Sequence, residues 1–278
     1  MSVTNTLNCN GQLISLDKPV VMGIINVNDN SFYSASRANT TDLVLATASK
    51  MLHEGATILD LGAMSSKPGS AIISIDEELN LILPAVEAVK KYFPEAIISV
   101  DTLRSKVAKE VIQAGASMIN DISAGTFDSD MMKLVSSFHV PYIMMHMKGL
   151  PSDMQQNPLY EDVVMEITRF FVLKIQQAKE QGIVDIVIDP GFGFGKTLDH
   201  NYQIMKKLEV LQIFDLPVMA GISRKSMIWR PLNTNADSAI NGTTALHMYA
   251  LQKGARILRV HDVKEAMECI TLHQLLTN

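Results

Sequence analysis

Polar and charged residues follow short apolar segments at eight places along this sequence. They are Asn26; Asp60; Asp101; Asn120 and Asp121; His146; Asp189; the run Ser223-Arg224-Lys225-Ser226; and Arg259 with His261. A carboxylate accepts hydrogen bonds, an amide both donates and accepts them, and arginine or lysine binds anions such as phosphate. A single aspartate after a strand is often only a helix cap. Polar groups at every one of these places predict a pocket lined by carboxylates and amides below and by cations above.

The most distinctive of these places is the glycine-rich stretch from Asp189 to Lys196. It is not a P-loop, because Pro190 stands where the glycine five residues before Gly195 would be. It is not a dinucleotide fingerprint either, because Lys196 takes the place of the third glycine. Proline and glycine instead end the apolar segment Ile186–Ile188. Asp189 is therefore predicted at the carboxyl end of a strand, on a loop that can approach a ligand closely.

Short apolar runs alternate with longer stretches of helical spacing along the whole chain. The predicted strands are Val20–Ile25, Thr57–Leu61, Ile97–Val100, Ser117–Ile119, Tyr142–Met145, Ile186–Ile188, Val218–Ala220 and Ile257–Val260. The predicted helices are Asp42–Leu52, Asp76–Tyr92, Ser105–Ala114, Ser129–Ser137, Glu161–Gln181, Asn201–Leu208, Ser238–Gln252 and Val263–Leu275. This α/β pattern predicts a single domain over residues 1–278, a (β/α)8 TIM barrel, although an open parallel sheet is an alternative.

In a barrel of this kind the chemistry lies at the carboxyl ends of the strands, which is where the polar residues fall. A further element precedes the first barrel strand. The pair Asn10-Gly11 between two short mixed segments is typical of a tight turn. We therefore predict a short N-terminal β-hairpin over Leu7–Leu16 that covers the floor of the fold.

The composition argues against several classes of function. The net charge is −5, from 24 Lys and Arg against 29 Asp and Glu, which argues against nucleic acid as a partner. Cys9 and Cys269 lie at opposite ends of the chain and fit neither a metal site nor a disulfide framework. Residues Met1 to Asn10 form no basic and apolar signal segment, and no apolar run is long enough to span a membrane. We expect a cytoplasmic protein that binds small molecules.

Several stretches together resemble the dihydropteroate synthase family. They are Met22-Gly23-Ile24-Ile25-Asn26-Val27, Ser65-Ser66-Lys67-Pro68-Gly69, Ile98-Ser99-Val100-Asp101-Thr102, Ile119-Asn120-Asp121-Ile122, Met145-His146-Met147, Asp189 to Lys196, Ser223-Arg224-Lys225-Ser226 and Arg259-Val260-His261-Asp262. Each alone is weak evidence, but all occur in the family's order and at the appropriate strand ends. The resemblance runs from Val20 to His273.

The resemblance implies a folate-pathway transferase on a TIM barrel, assisted by Mg²⁺, homodimeric and a target of sulfonamides. Such an enzyme joins 6-hydroxymethyl-7,8-dihydropterin diphosphate to p-aminobenzoate by a dissociative substitution and releases diphosphate. It needs no side-chain nucleophile, because its residues position the substrates and stabilise charge.

The resemblance also implies a role for each matching residue. Pterin would be bound by Asp101, Asn120, Asp189 and Lys225, with Met145 packed against its ring. The diphosphate would be held by Asn26, Ser66, Arg259 and His261, with Mg²⁺ at Asn26. The p-aminobenzoate would contact Ser66, Lys67, Pro68, Phe194 and Ser226. The residues implied in catalysis are Asn26, Lys225, Arg259 and His261.

Two loops depart from the family's pattern. The first usually reads Asn-x-Thr-Pro-Asp-Ser-Phe and then a further Asp, whereas Asn30 and Ser34 replace both acids here and Asp29 replaces the proline. The second usually carries Ser-Thr-Arg-Pro-Gly, and Lys67 takes the place of its bidentate arginine. In the family the acids of the first loop help to stabilise the cationic intermediate.

These departures leave alternatives open for the function. One is a pterin-binding paralogue that lacks synthase turnover because of its first loop. Another is a different pterin-using barrel, such as a methyltetrahydrofolate methyltransferase. That second alternative would not require Ser223-Arg224-Lys225-Ser226 or Arg259-Val260-His261.

Overall fold

A small antiparallel hairpin precedes the main body of the fold. The computed structural model describes residues 6–27, 34–63, 73–149 and 158–277, and of residues 34–40 the backbone alone. Strands β1 (Thr6–Cys9) and β2 (Gln12–Ser15) pair through a turn in which Asn10 and Gly11 have φ of 55° and 90°. Positive φ at both turn residues is the geometry that this residue pair favours, so the predicted hairpin is confirmed.

A closed barrel of parallel strands follows the hairpin within the described residues. Its strands are β3 (Val20–Asn26), β4 (Ile58–Gly62), β5 (Ile97–Asp101), β6 (Met118–Asp121), β7 (Tyr142–Met145), β8 (Ile186–Asp189), β9 (Val218–Ala220) and β10 (Ala255–Val260). Neighbours in the chain are neighbours in the barrel, and β10 pairs with β3 to close it. The predicted (β/α)8 TIM barrel is confirmed, and the alternative prediction of an open parallel sheet is wrong.

Helices surround the barrel. They are α1 (Ser34–His53), α2 (Ile75–Tyr92), α3 (Ser105–Gln113), α4 (Met131–Phe138), α5 (Val163–Glu180), α6 (Leu198–Lys206), α7 (Ser226–Trp229), α8 (Ile240–Gln252) and α9 (Val263–Thr277), with a 3₁₀ helix at Leu208–Phe214. Helix α2 begins at a capping box in which Ser74 and Glu77 satisfy each other's backbone donors. None of the helices in the described ranges combines the length and apolar content needed to cross a membrane.

The barrel interior begins with an apolar floor to which every strand contributes one residue. The floor consists of Met22, Ile58, Ile97, Met118, Ile143, Val187, Met219 and Ile257, all buried. Leu7, Cys9, Ile14 and Leu16 of the hairpin region pack against it and belong to the same cluster. The hairpin therefore covers the amino-terminal end of the barrel, as the sequence predicts, and leaves the other end for chemistry.

Candidate active site

The inward-facing residues change from apolar to polar one step above the floor. Side chains alternate along a strand, so the residue two positions after each floor residue also faces the interior. These residues are Ile24, Asp60, Ser99, Asn120, Met145, Asp189, Gly221 and Arg259. The next step upward adds Asn26, Asp101, Ser223 and His261. The polar residues predicted from separate strand ends therefore line one interior.

Several strands are longer than predicted, because their last residues are polar and the prediction used only apolar runs. Strand β5 includes Asp101, β6 includes Asn120 and Asp121, and β8 includes Asp189. These polar residues keep their places in the parallel ladder while their side chains are buried. An apolar run therefore ends before the strand does when the ligand-facing layer is polar.

Arg259 lies at the centre of this polar layer. Its Nε donates to Oδ2 of Asp60 at 2.6 Å, and its Nη2 donates to Oδ2 of Asp101 at 3.2 Å. Oδ2 of Asp60 also accepts from Nδ2 of Asn120 at 3.0 Å. A guanidinium that is shared between two buried carboxylates is strongly oriented, because ionic hydrogen bonds are short and directional.

Asp101 is a carboxyl group whose pKa lies near neutral pH. Burial raises its pKa to about 7, and the charges of Asp60, Asp121 and Glu78 also raise it, whereas Arg259 lowers it. The loss of hydration is therefore only partly offset by the guanidinium. A ligand that offers N–H donors to this carboxylate would favour its ionised form.

Asp189 and Lys225 form a second charged pair across an open space. A β-carbon built at Gly221 would lie 3.5 Å from Oδ2 of Asp189 and 3.9 Å from Nζ of Lys225. Burial lowers the pKa of Lys225 to about 8, against the opposing effect of Asp189, and burial raises the pKa of Asp189. Because Gly221 has no side chain, position 221 leaves both charged groups uncovered on this side.

The loop after β8 holds Asp189 in place through close backbone packing. A β-carbon at Gly191, where φ is +69°, would lie 2.0 Å from the carbonyl oxygen of His146. Nζ of the buried Lys196 donates to the carbonyl oxygens of His146, Gly191 and Phe194 at 3.1, 2.8 and 3.0 Å. At Gly191 the close approach predicted from the glycines is thus to the chain's own backbone rather than to a ligand.

An apolar patch lies beside the charged groups. Met145 and Phe194 belong to one cluster with Leu103 and Ile122. Nζ of Lys225 lies 4.7 Å from the centroid of the Phe194 ring, within range of a cation–π contact. Polar groups for the edge of a planar ligand and apolar groups for its faces are therefore adjacent.

His261 lies at the rim and is partly exposed to solvent. The protein atoms around its ring remove part of its hydration and lower its pKa to about 4, and the nearby Arg259 adds to the effect. Its Nδ1 lies 3.1 Å from Oγ of Ser223, which also accepts from its backbone N–H at 3.2 Å. If Ser223 donates to Nδ1, the neutral ring carries its proton on Nε2 and can donate from there.

Arg224, between Ser223 and Lys225, points away from this set. It makes a two-pronged ion pair with Asp262, with distances of 2.8 and 2.6 Å. Its φ of +57° lies in the left-handed region, where a non-glycine residue is uncommon. The ion pair ties this turn to the segment after β10 and so places Lys225 and His261 relative to each other.

Comparisons with known proteins agree with this arrangement. Residues 22–261 match the family model described as "Pterin binding enzyme". The dihydropteroate synthase of Escherichia coli K12 is 40% identical over 262 residues, which cover 94% of this chain and 92% of that protein. The chain belongs to the dihydropteroate synthase family.

Solved structures of the family share the fold. The Yersinia pestis dihydropteroate synthase, solved as a sulfonamide drug complex, aligns with a TM-score of 0.92 at 39% identity and covers 98% of this chain and 99% of that one. The Xanthomonas albilineans enzyme, solved with 7,8-dihydropteroate, gives a TM-score of 0.87 at 34% identity, with 99% of both chains covered.

The fold brings together most of the residues that the family resemblance implies. Those that line the interior or its rim are Asn26, Asp101, Asn120, Met145, Asp189, Phe194, Lys225, Arg259 and His261. Ser226 is the first residue of α7 and directly follows Lys225. Ser66, Lys67 and Pro68 and the divergent positions Asp29 and Asn30 lie outside the described residues. Ser34 begins α1, but its side chain is not described.

Two features of the site were not assigned from the sequence. Asp60 was noted only as a strand-end residue, yet it joins Arg259 to Asn120. The sequence assigns no role to Lys196, yet its ammonium group donates to carbonyl oxygens of the loop after β8. The two-residue spacing from the floor would have identified Asp60 as inward-facing, whereas nothing in the sequence points to the buried contacts of Lys196.

Proposed function

We propose that this chain joins 6-hydroxymethyl-7,8-dihydropterin diphosphate to p-aminobenzoate, forming 7,8-dihydropteroate and releasing diphosphate. The main support is the convergence of Asp101, Asn120, Asp189 and Lys225 inside one barrel. Oδ1 of Asn120 is buried and has no hydrogen-bond partner among the described residues. A buried acceptor without a donor is costly, so a ligand N–H group is a natural partner.

Pterin would use this pocket through its amino-pyrimidinone edge. Adjacent N–H groups would donate to the carboxylates and to Oδ1 of Asn120, and Lys225 would donate to the carbonyl oxygen or a ring nitrogen. Met145 would pack against the ring. Gly221 has no side chain that could stand between the pterin and the charged groups of Asp189 and Lys225, which a β-carbon there would contact.

The diphosphate would lie toward the rim, at Arg259, His261 and Asn26. Asn26 ends β3 with an exposed side chain. The described residues contain no group of three or more His, Cys, Asp or Glu that could hold a metal ion. Mg²⁺ takes few protein ligands and keeps much of its water, so Asn26 fits a metal bound mainly by diphosphate. When bound, Mg²⁺ would neutralise charge on the leaving group.

The p-aminobenzoate would bind on the outer side of the pterin. Phe194 would contact the aromatic ring, and Ser226 would meet the carboxylate. Ser66, Lys67 and Pro68 are proposed for the same subsite by family resemblance alone. Sulfonamides, which mimic p-aminobenzoate, are the expected inhibitors.

The reaction would proceed by departure of diphosphate before attack. The bond between the exocyclic carbon and the diphosphate oxygen breaks, and its electron pair leaves with diphosphate. Arg259 and neutral His261 would donate to the departing oxygens. The dihydropterin ring delocalises the resulting positive charge, and the neutral aromatic amine then forms the new C–N bond and loses a proton.

A turnover assay tests this proposal. Purified protein is given the dihydropterin diphosphate and Mg²⁺, with and without p-aminobenzoate, and diphosphate and dihydropteroate are both measured. We expect diphosphate release that depends on p-aminobenzoate and equals the dihydropteroate formed. Pterin binding without turnover would contradict the proposal and favour the paralogue that has lost synthase activity. A homodimer and a cytoplasmic location stay predictions.

A further inference from the structure

Asp60 is a buried carboxylate that the proposed reaction does not use directly. Its side chain has no solvent exposure. One oxygen, Oδ2, accepts from both Arg259 and Asn120, at 2.6 and 3.0 Å. The other oxygen, Oδ1, is buried without a hydrogen-bond partner among the described residues. Burying a carboxylate is costly unless it is paired, so this placement calls for an explanation beyond packing.

The contact with Asn120 fixes which way its amide faces. An ionised carboxylate can only accept hydrogen bonds, so Asn120 must turn its NH₂ group toward Asp60. Its carbonyl oxygen, Oδ1, is then the atom left without a partner. In the reversed orientation two oxygens would face each other, and the ligand would meet a donor instead of an acceptor.

The contact with Arg259 fixes the guanidinium in the same way. Asp60 takes the Nε–H, and Asp101 takes one hydrogen of Nη2. No hydrogen bond from Nη1 occurs within the described ranges, so that nitrogen remains available to an anion. Hydrogen bonds at both Nε and Nη2 fix the orientation of the planar guanidinium.

We propose that Asp60 is a positioning residue that fixes the amide of Asn120 for the pterin and the guanidinium of Arg259 for the diphosphate. This inference rests on the proposed function, because it assumes that Asn120 binds the pterin and Arg259 binds the diphosphate of the same substrate. A carboxylate is needed at this position, since a neutral acceptor would not balance the charge of Arg259. Without it, Arg259 would pair with Asp101 alone and compete with the pterin.

Two substitutions separate positioning from charge. Asp60→Ala removes the acceptor of both donors, so we expect pterin affinity and kcat each to fall by about tenfold or more. Asp60→Asn retains one oxygen that Asn120 and Arg259 can share and removes the charge. We expect it to restore most of the pterin affinity while kcat remains low. Thr168→Ala is the control for the loss of a buried polar group outside the site, because Thr168 is a buried residue of α5 and its Oγ1 donates to the carbonyl oxygen of Val164.

The pH dependence of pterin binding provides a second measurement. It responds to the charge at position 60, and a loss of folding stability alone would not change it. Pterin needs ionised Asp101, so affinity falls on the acid side as Asp101 takes up a proton. The charge of Asp60 raises the pKa of Asp101. In Asp60→Asn the pH below which pterin affinity falls should therefore move to a lower value, whereas in Thr168→Ala it should not move.

The outcomes distinguish this inference from the proposed function. An unshifted acid limb in Asp60→Asn, with activity losses that only follow the loss of folded protein on thermal melting, would overturn the positioning role. Wild-type levels of binding and turnover in both Asp60 variants would overturn it as well. A wild-type protein that binds pterin without turnover would sink the proposed reaction alone, since the binding measurements still test Asp60.

Discussion

At the scale of single residues, the site places two titrating groups against opposite ends of one proposed ligand. Asp101 must be ionised to accept hydrogen bonds from pterin, and Lys225 must be protonated to donate one. Burial shifts the pKa of Asp101 up to about 7 and the pKa of Lys225 down to about 8. The two shifts narrow the pH range in which both groups carry charge.

We therefore expect pterin affinity to be greatest between about pH 7 and about pH 8. Below that range Asp101 takes up a proton, and above it Lys225 loses one, so affinity falls on both sides. Calorimetric titration across neutral pH measures the profile. The charged groups that act on the pKa of Asp101 are Arg259, Asp60, Asp121 and Glu78, so the measured profile belongs to this interacting set. The control is Asp101→Asn, which should bind weakly without an acid limb, and a flat wild-type profile would count against the assignment.

At the residue scale the sequence predicted identities better than connections. Asp101, Asn120, Asp189 and Lys225 were expected in one site because each matches the family at a strand end, and the fold does bring them together, whereas their contacts with pterin stay predictions. The hydrogen bond between Asp60 and Arg259 joins residues 199 positions apart, so no local sequence pattern could predict it. Ser66 and Lys67 stay predictions for the p-aminobenzoate side.

At the scale of elements, the backbone of the loop between β8 and α6 tolerates few side chains. Gly191 combines positive φ with contact against the strand-end carbonyl of His146. Gly11 of the hairpin also has positive φ, but a β-carbon there would meet nothing within 4 Å. The two glycines separate the cost of the backbone conformation from the cost of the clash.

We expect Gly11→Ala to lower the free energy of unfolding by about 1 kcal/mol, the usual cost of a left-handed alanine. Gly191→Ala should cost more than about 3 kcal/mol, because the loop must also move away from His146. It should weaken pterin binding too, since Asp189 Oδ1 accepts from the backbone N–H of Gly191 at 2.7 Å. Chemical denaturation measures both variants, and equal losses would show that the close contact has no energetic effect.

Element boundaries show where apolar patterning fails. Helix α1 begins at Ser34, eight residues before the predicted Asp42, because residues 34–41 carry no apolar periodicity that could signal a helix. Helix α6 begins at Leu198 rather than Asn201, since Thr197 caps it through the backbone N–H of His200. The 3₁₀ helix at Leu208–Phe214 was not predicted, because seven residues are too few to show a repeated helical pattern.

At the scale of the whole molecule, stability and chemistry lie at opposite ends of the barrel. The hairpin closes the amino-terminal end over an apolar floor, and the polar layers lie at the other end. Alternating strands and helices were enough to predict the barrel, because parallel strands require crossovers and eight units fit this length. Which residues form the floor and which form the polar layers depends on the register between strands, and the sequence alone does not determine that register.

We expect Leu7→Ala to cost about 2 to 5 kcal/mol in free energy of unfolding, as for other buried leucines. The kcat and KM values should be unchanged, because Leu7 packs in the floor cluster, at the end of the barrel opposite the polar layer. Leu13→Ala is the matched control from the same hairpin, since Leu13 is 69% exposed and Leu7 only 1%. Denaturation with parallel kinetics tests the separation, and a Leu7→Ala enzyme that is fully stable but catalytically impaired would refute it.

The most direct measurement is calorimetric titration of pterin into wild-type protein and Asp189→Asn at neutral pH. We expect the wild type to bind one pterin per chain. In Asp189→Asn binding should be lost, because the backbone N–H of Gly191 holds one oxygen and the amide would then present a donor where Oδ2 now offers an acceptor. Near-normal affinity in Asp189→Asn, with the protein folded, would contradict the claim that the polar layer above the floor is a pterin pocket.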